Sequence, residues 1–112
     1  MNVVLDTNIL REDFLMESSK FRILFDYLKK TNSKIIMPKI VYQEIAAVYE
    51  REISDRLQGL RKAKGRLERA LIDGSIQDFN IVIANEVEKY LTFLKRKLEI
   101  SDNDIVLYKD NY

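Results

Sequence analysis

Cysteine and histidine are both missing from the 112 residues, and tryptophan with them. Without cysteine there are no disulfides and no thiolate metal sites, and without histidine the conventional zinc sites go too. The same two absences exclude Ser-His-Asp and Cys-His nucleophilic catalysis and histidine acid–base chemistry within the chain. What remains is carboxylate, lysine, arginine and tyrosine chemistry. Only one proline and three glycines interrupt the backbone, while 46% of residues are hydrophobic and 33% charged. That balance belongs to a folded, largely helical protein rather than a disordered one. Its length suits one domain spanning 1–112 with a real core. No apolar run approaches the roughly 20 residues of a membrane span, and no signal-like leader precedes the first apolar run, so a soluble, cytoplasmic protein is expected. Nineteen basic residues against eighteen acidic ones leave a net charge of +1, so a polyanion would have to be held by a local patch.

Val3-Val4-Leu5 reads as a buried strand covered on both faces, as in parallel α/β sheets, and it ends abruptly at Asp6-Thr7-Asn8. After it, Phe21, Leu24, Phe25 and Leu28 recur at helical spacing over about residues 19–30, with Ser18 and Ser19 offering N-cap hydroxyls. Ile35-Ile36-Met37 is a second short strand, which makes a strand–helix–strand unit and implies two parallel strands. Pro38 then opens a long helix running to about Leu71. A turn at 71–75 precedes a second helix from about Gln77 to Leu98, forming an antiparallel hairpin, and 104–108 reads as a third strand. The expected fold is α/β: a small parallel sheet flanked by helices in three layers, with a long helical hairpin. Two or three strands are few for such a sheet. Either the chain is truncated at its C-terminal end, or a homodimer or partner chain completes the sheet.

Two carboxylates stand out. Asp6 sits where ligands bind in parallel sheets, beyond the carboxyl end of a strand, although capping the following helix explains it as well. Glu44 falls, by helical phase, inside an apolar arc with Ile40, Val41, Ile45, Ala47 and Val48, whereas Gln43, Tyr49 and Glu50 fall on the opposite side. A Glu on a core-facing arc either snorkels to a basic partner or has chemistry to do. Topology brings both acids toward one crevice, and oxygen donors of this kind suit Mg²⁺ or Mn²⁺, with Thr7 and Asn8 as neutral additions.

The strand with Asp6-Thr7-Asn8-Ile9-Leu10, then Ile35-Ile36-Met37-Pro38 and the helix Val41-Tyr42-Gln43-Glu44-Ile45, resembles the first half of a PIN domain over roughly residues 2–50. The resemblance implies a metal-dependent nuclease acting on single-stranded RNA by metal-activated water, with Asp6 and Glu44 as catalytic, metal-binding acids and Mg²⁺ or Mn²⁺ as cofactor. The helical hairpin is longer than in the small PIN toxins of toxin–antitoxin pairs. Family members carry further acids later in the chain, and Asp104 and Asp110 are the positions to consider; the alternative is that those acids lie in sequence absent here and that Asp102, Asp104 and Asp110 are loop residues. Residues 56–69 add Arg56, Arg61, Lys62, Lys64, Arg66 and Arg69 against Glu68 alone, of which Arg61, Lys62, Lys64, Arg66 and Arg69 form a candidate RNA contact. A solvated helical face accounts for that run equally well. Two other readings compete. A haloacid-dehalogenase-like phosphohydrolase would need a second Asp where Asn8 stands. A catalytically incomplete PIN-like domain would bind RNA or protein instead.

Overall fold

The computed structural model describes residues 1–107. In chain order the elements are β1 (Asn2–Val4), α1 (Thr7–Glu12), α2 (Ser19–Lys30), β2 (Lys34–Pro38), α3 (Lys39–Ala70) and α4 (Ile83–Leu98), then a 3-10 turn at Asp102–Asp104 and β3 (Ile105–Val106). The fold is mixed α/β, a three-stranded parallel sheet flanked by helices. β2 is central: Val3 of β1 lies opposite Ile35, and Ile105 of β3 lies opposite Met37.

Burial follows that order. Ile35 and Met37 of β2 are almost wholly buried, whereas Val4 is half exposed. The expectation that the first strand is covered on both faces is therefore corrected: β1 is an edge strand with one covered side. The main core joins Leu5, Leu10, Met16, Phe21, Ile35, Met37 and Ile45 to Tyr90, Leu94, Leu98 and Ile100. Of α3, only Ile45 is fully buried in that cluster. Leu57 is buried apart from it, further along the helix.

The two long helices run antiparallel, because their contacts descend α4 as they climb α3. Lys95 lies over the Tyr42 ring at 5.5 Å, Tyr90 stacks on Tyr49 at 4.2 Å, and Ile83 shares a cleft with Leu57. Tyr49 thus faces the core, not the solvated side assigned to it by helical phase. Phe14 meets both tyrosine rings edge-on, at 5.3 and 5.8 Å, and so ties the segment after α1 to both helices. Burial pushes both tyrosine hydroxyls above their ordinary pKa, with lesser help from Glu86 for Tyr49 and from Tyr49 and Asp13 for Tyr90. The Tyr90 hydroxyl is buried without a hydrogen-bond partner among the described residues.

Beyond Leu57 the chain becomes an arm. The radius of gyration is 18.6 Å, against roughly 13 Å for a compact domain of this length, and the longest extent is 62 Å. The turn at 71–75 forms as expected. Gly74 is required there, since a Cβ would stand 2.6 Å from the Glu68 carbonyl oxygen. The second helix, however, starts at Ile83 rather than Gln77. Asp78 accepts a hydrogen bond from the Phe79 N–H at 2.8 Å, a local bond that competes with helix formation. Lys64 pairs with Asp78 at 3.5 Å and lies over the Phe79 ring, so 76–79 runs along α3 as a strap. The third strand is also shorter than expected. Asp104 belongs to the preceding turn, Leu107 lies outside the strand, and Tyr108 falls outside the described residues. Among the described residues no helix is long and apolar enough to cross a membrane.

Asp13 and Asp104, together with Asp78, set the response to acid. The Asp13 carboxylate accepts from the Ser18 N–H at 2.8 Å, and although burial raises its pKa, that bond, the Ser18 hydroxyl and the N–H groups of Glu17 and Met16 outweigh it and hold the carboxyl below 3.8. Ser18 therefore turns back to Asp13 and gives α2 no side-chain cap. Asp104 is lowered first by the Lys34 ammonium, at 2.8 Å, and then by the Ser101 N–H. Carboxyls depressed on folding add stability that is present above their unfolded pKa and disappears as pH falls through the folded one. Thermal stability is expected to stay level down to about pH 4 and then to drop, with a shallower drop in Asp104→Asn; melting curves between pH 2 and 7 measure it. Replacing Tyr90 by Phe removes an unsatisfied buried hydroxyl, so Tm should hold or rise, a gain of up to about 1 kcal/mol. A marked fall in Tm would show that the hydroxyl has a partner.

Candidate functional site

Asp6 is the N-cap of α1, with extended backbone, and its Oδ1 accepts the Asn8 N–H. The cap explanation of Asp6 therefore holds, and it leaves Oδ2 with no hydrogen-bond partner among the described residues. The cap also aims α1 across α3, against which it packs. At that crossing the Thr7 hydroxyl donates to Glu44 Oε2 at 2.8 Å. The residue next to Asp6 is thus bonded to Glu44 across 37 positions of sequence.

Glu44 is exposed, which corrects its expected place on the core face. The buried arc of α3 centres on Ile45, with Val41, Val48 and Tyr49 beside it, while Ile40 and Ala47 are exposed. Glu44 sits at the rim of that arc, where α1 rides over α3. Neither Asp6 nor Glu44 is in an ion pair among the described residues, unlike Glu12, Asp26, Glu52, Glu68, Asp78, Glu86, Asp102 and Asp104. Asp6 and Glu44 are linked through Thr7, and the carboxylates, the Thr7 hydroxyl and the side-chain oxygen of Asn8 are all oxygen donors. Such donors match hard divalent cations.

The later acids do not join them. Asp102 pairs with Lys95 at 2.7 Å. Asp104 precedes β3, pairs with Lys34 at the start of β2 and closes a reciprocal cap with Ser101. Lys34 sits opposite Asn2, at the amino ends of the strands, whereas Asp6 follows the carboxyl end of β1. Asp110 lies outside the described residues. Among the described residues no three acidic side chains gather into a cation cage. Sequence reasoning passes over Asp13, whose signal is its place five residues before an N-cap serine.

A family model of the PIN domain matches residues 3–112. The chain belongs to the PIN-domain family. The match covers the helical hairpin as well as the first half, further than the motif resemblance reaches. No curated protein and no solved structure gives a significant match. The fold of this PIN domain is of a nuclease type.

The candidate RNA contact divides into two groups. Lys64 is largely covered and engaged with Glu68 and Asp78, and Arg61 lies near enough to Asp78 to help lower its pKa after Phe79 and Lys64. Lys62, Arg66 and Arg69 are exposed and in no ion pair among the described residues. Arg56 is bound to Glu52 at 2.9 Å.

Asp6→Ala removes the α1 cap and should cost about 1 kcal/mol, while Asp6→Asn, itself a good cap, should cost almost nothing. Chemical denaturation of the two variants gives the comparison. Equal losses would show that the charge of Asp6, not its cap, supports the fold.

Proposed function

We propose that this PIN domain is a divalent-metal-dependent nuclease of single-stranded RNA, with Asp6 and Glu44 as its metal-binding acids. The Thr7–Glu44 hydrogen bond carries the reading, because it brings the Asp6 turn onto Glu44, where each carboxylate keeps an oxygen without a hydrogen-bond partner among the described residues. Mg²⁺ or Mn²⁺ held there would supply positive charge against a phosphodiester oxygen and acidify a water. The chain's own residues prepare the place. The Asn8 N–H fixes the Asp6 carboxylate, and the Thr7 hydroxyl holds the Glu44 side chain, which on an exposed helix face would otherwise sample several rotamers. With histidine and cysteine absent, general acid–base help must come from carboxylates or water.

The pairing of only two acids among the described residues favours a second reading, in which the domain binds RNA or protein without cleaving. Mn²⁺ separates the two. A nuclease site is stabilised by mass action, about 2.7 kcal/mol at a hundredfold excess over Kd, which raises Tm by several degrees. Asp6→Asn and Glu44→Gln should each abolish that rise, and each should cut Mn²⁺-dependent cleavage of a labelled 20-nucleotide RNA by about a hundredfold or more. A Tm indifferent to Mn²⁺, with no cleavage by the parent protein, establishes the binding-only reading. Cleavage that survives in Asp6→Asn would remove Asp6 from the site.

A further inference from the structure

α3 is one unbroken helix from Lys39 to Ala70. Its geometry therefore fixes which residues share a line along its surface. Lys62 follows Glu44 by eighteen residues, which is five full turns at about 3.6 residues per turn, so both point the same way. Arg51, Asp55, Arg66 and Arg69 lie within about 40° of that direction. All six are exposed. α4 and the strap occupy the other side, where Leu57, Lys64 and Glu68 point. The row is exposed from Arg51 outward, while at Glu44 the start of α1 lies against it, and its four basic members are in no ion pair among the described residues.

Taking the rise at about 1.5 Å per residue, Arg51 stands about 10 Å from Glu44, Lys62 about 27 Å, Arg66 about 33 Å and Arg69 about 38 Å. A nucleic-acid strand advances about 3.4 Å per nucleotide when stacked and up to about twice that when extended, so Lys62 to Arg69 lies about four to eleven nucleotides from Glu44. No aromatic side chain interrupts the row, so it reads phosphates and carries no base preference. Basic side chains in one line on a straight exposed face, three of them within about 11 Å at its outer end, fit a linear polyanion better than a folded acidic surface.

We infer that the outer face of α3 is a single-strand track: Arg51, Lys62, Arg66 and Arg69 hold the backbone of a strand whose reacting phosphate lies at Glu44. The track deepens the nuclease reading and rests on it for the position of the reacting phosphate. It makes the protein a reader of strand length rather than of sequence.

Fluorescence anisotropy in EDTA with oligouridylates of about 4 and about 20 nucleotides measures the track without cleavage. The parent protein should bind the longer strand at least tenfold more tightly. The triple variant Lys62→Gln, Arg66→Gln, Arg69→Gln should lose most of that advantage, and its salt slope should fall by about two, at about 0.7 for each phosphate that is no longer neutralised. Removing the same charge off the row, with Arg22→Gln, Lys29→Gln and Arg96→Gln, should change affinity by less than about threefold. In Mn²⁺, the row variant should lose the parent's kcat/KM preference for the long strand and keep its rate on the short one. Equal losses from the two triple variants, equal affinity of the parent for both lengths, or displacement of the long strand by polyglutamate of matched charge would each overturn the track. The last would mark the face as a surface for acidic protein. Asp6→Asn should bind the long strand as the parent does, so a failed nuclease reading and a failed track give different results.

Discussion

The continuity of α3 is the constraint on which the rest depends. A helix of 32 residues reaches from the core, where Ile45 is fully buried, past Glu44 and Tyr49 and out to Arg69. Isolated helices of about 12–15 residues are marginal in water, so the outer half needs support that its own hydrogen bonds do not supply. Gly59 and Gly65 weaken it further, by about 1 kcal/mol each relative to alanine. The support comes from one side: the Tyr49–Tyr90 stack, Leu57 beneath α4, and the strap held by Lys64–Asp78 and by Glu68, which accepts the Ile76 N–H at 3.1 Å. Because these anchors lie on one side, the opposite side is left straight and open to solvent.

The same one-sidedness governs the candidate site. Asp6 serves as a cap, and capping fixes where α1 starts and so where Thr7 points. Thr7 then meets Glu44 at the one place where α1 crosses α3. One oxygen of each carboxylate is engaged in structure, and the other has no hydrogen-bond partner among the described residues. A carboxylate used wholly for structure, as Asp104 is between Lys34 and Ser101, has a lowered pKa and nothing left to offer a ligand.

Much of this is legible in the residues themselves. The strand end at Asp6, the helix Phe21–Leu28, the central strand at Ile35–Met37, the long helix after Pro38 and its partner α4 all follow from period and punctuation. The phase of α3 does not. Apolar spacing puts Glu44 and Tyr49 on the wrong sides, because the buried arc of a helix is set by what packs on it, and the aromatic contact from Phe14 and Tyr90 draws Tyr49 inward. The same spacing starts α4 too early, because Asp78 satisfies the Phe79 N–H locally, an outcome that apolar periodicity does not encode. The basic run likewise shows its composition but not its partners. Lys64 is spent on Asp78 and Glu68, and only the wound helix shows that Lys62, Arg66 and Arg69 line up with Glu44.

A net charge of +1 conceals how the charges are laid out. Along the open face of α3, the end beside Asp6 is negative and the far end is positive, with Asp55 the one acid between Arg51 and Lys62. At physiological salt the Debye length is about 8 Å, so ends separated by about 27 Å act independently. On the proposed reading, a polyanionic strand is attracted at the far end whether or not a cation is present, while at the near end two bare carboxylates repel it. On that reading, a divalent cation held between Asp6 and Glu44 would cancel the negative charge of the near end alone. Strand capture and engagement of the reacting phosphate would then be separate events on one helix. Only the second would depend on metal, and the five-turn spacing between Glu44 and Lys62 would connect them.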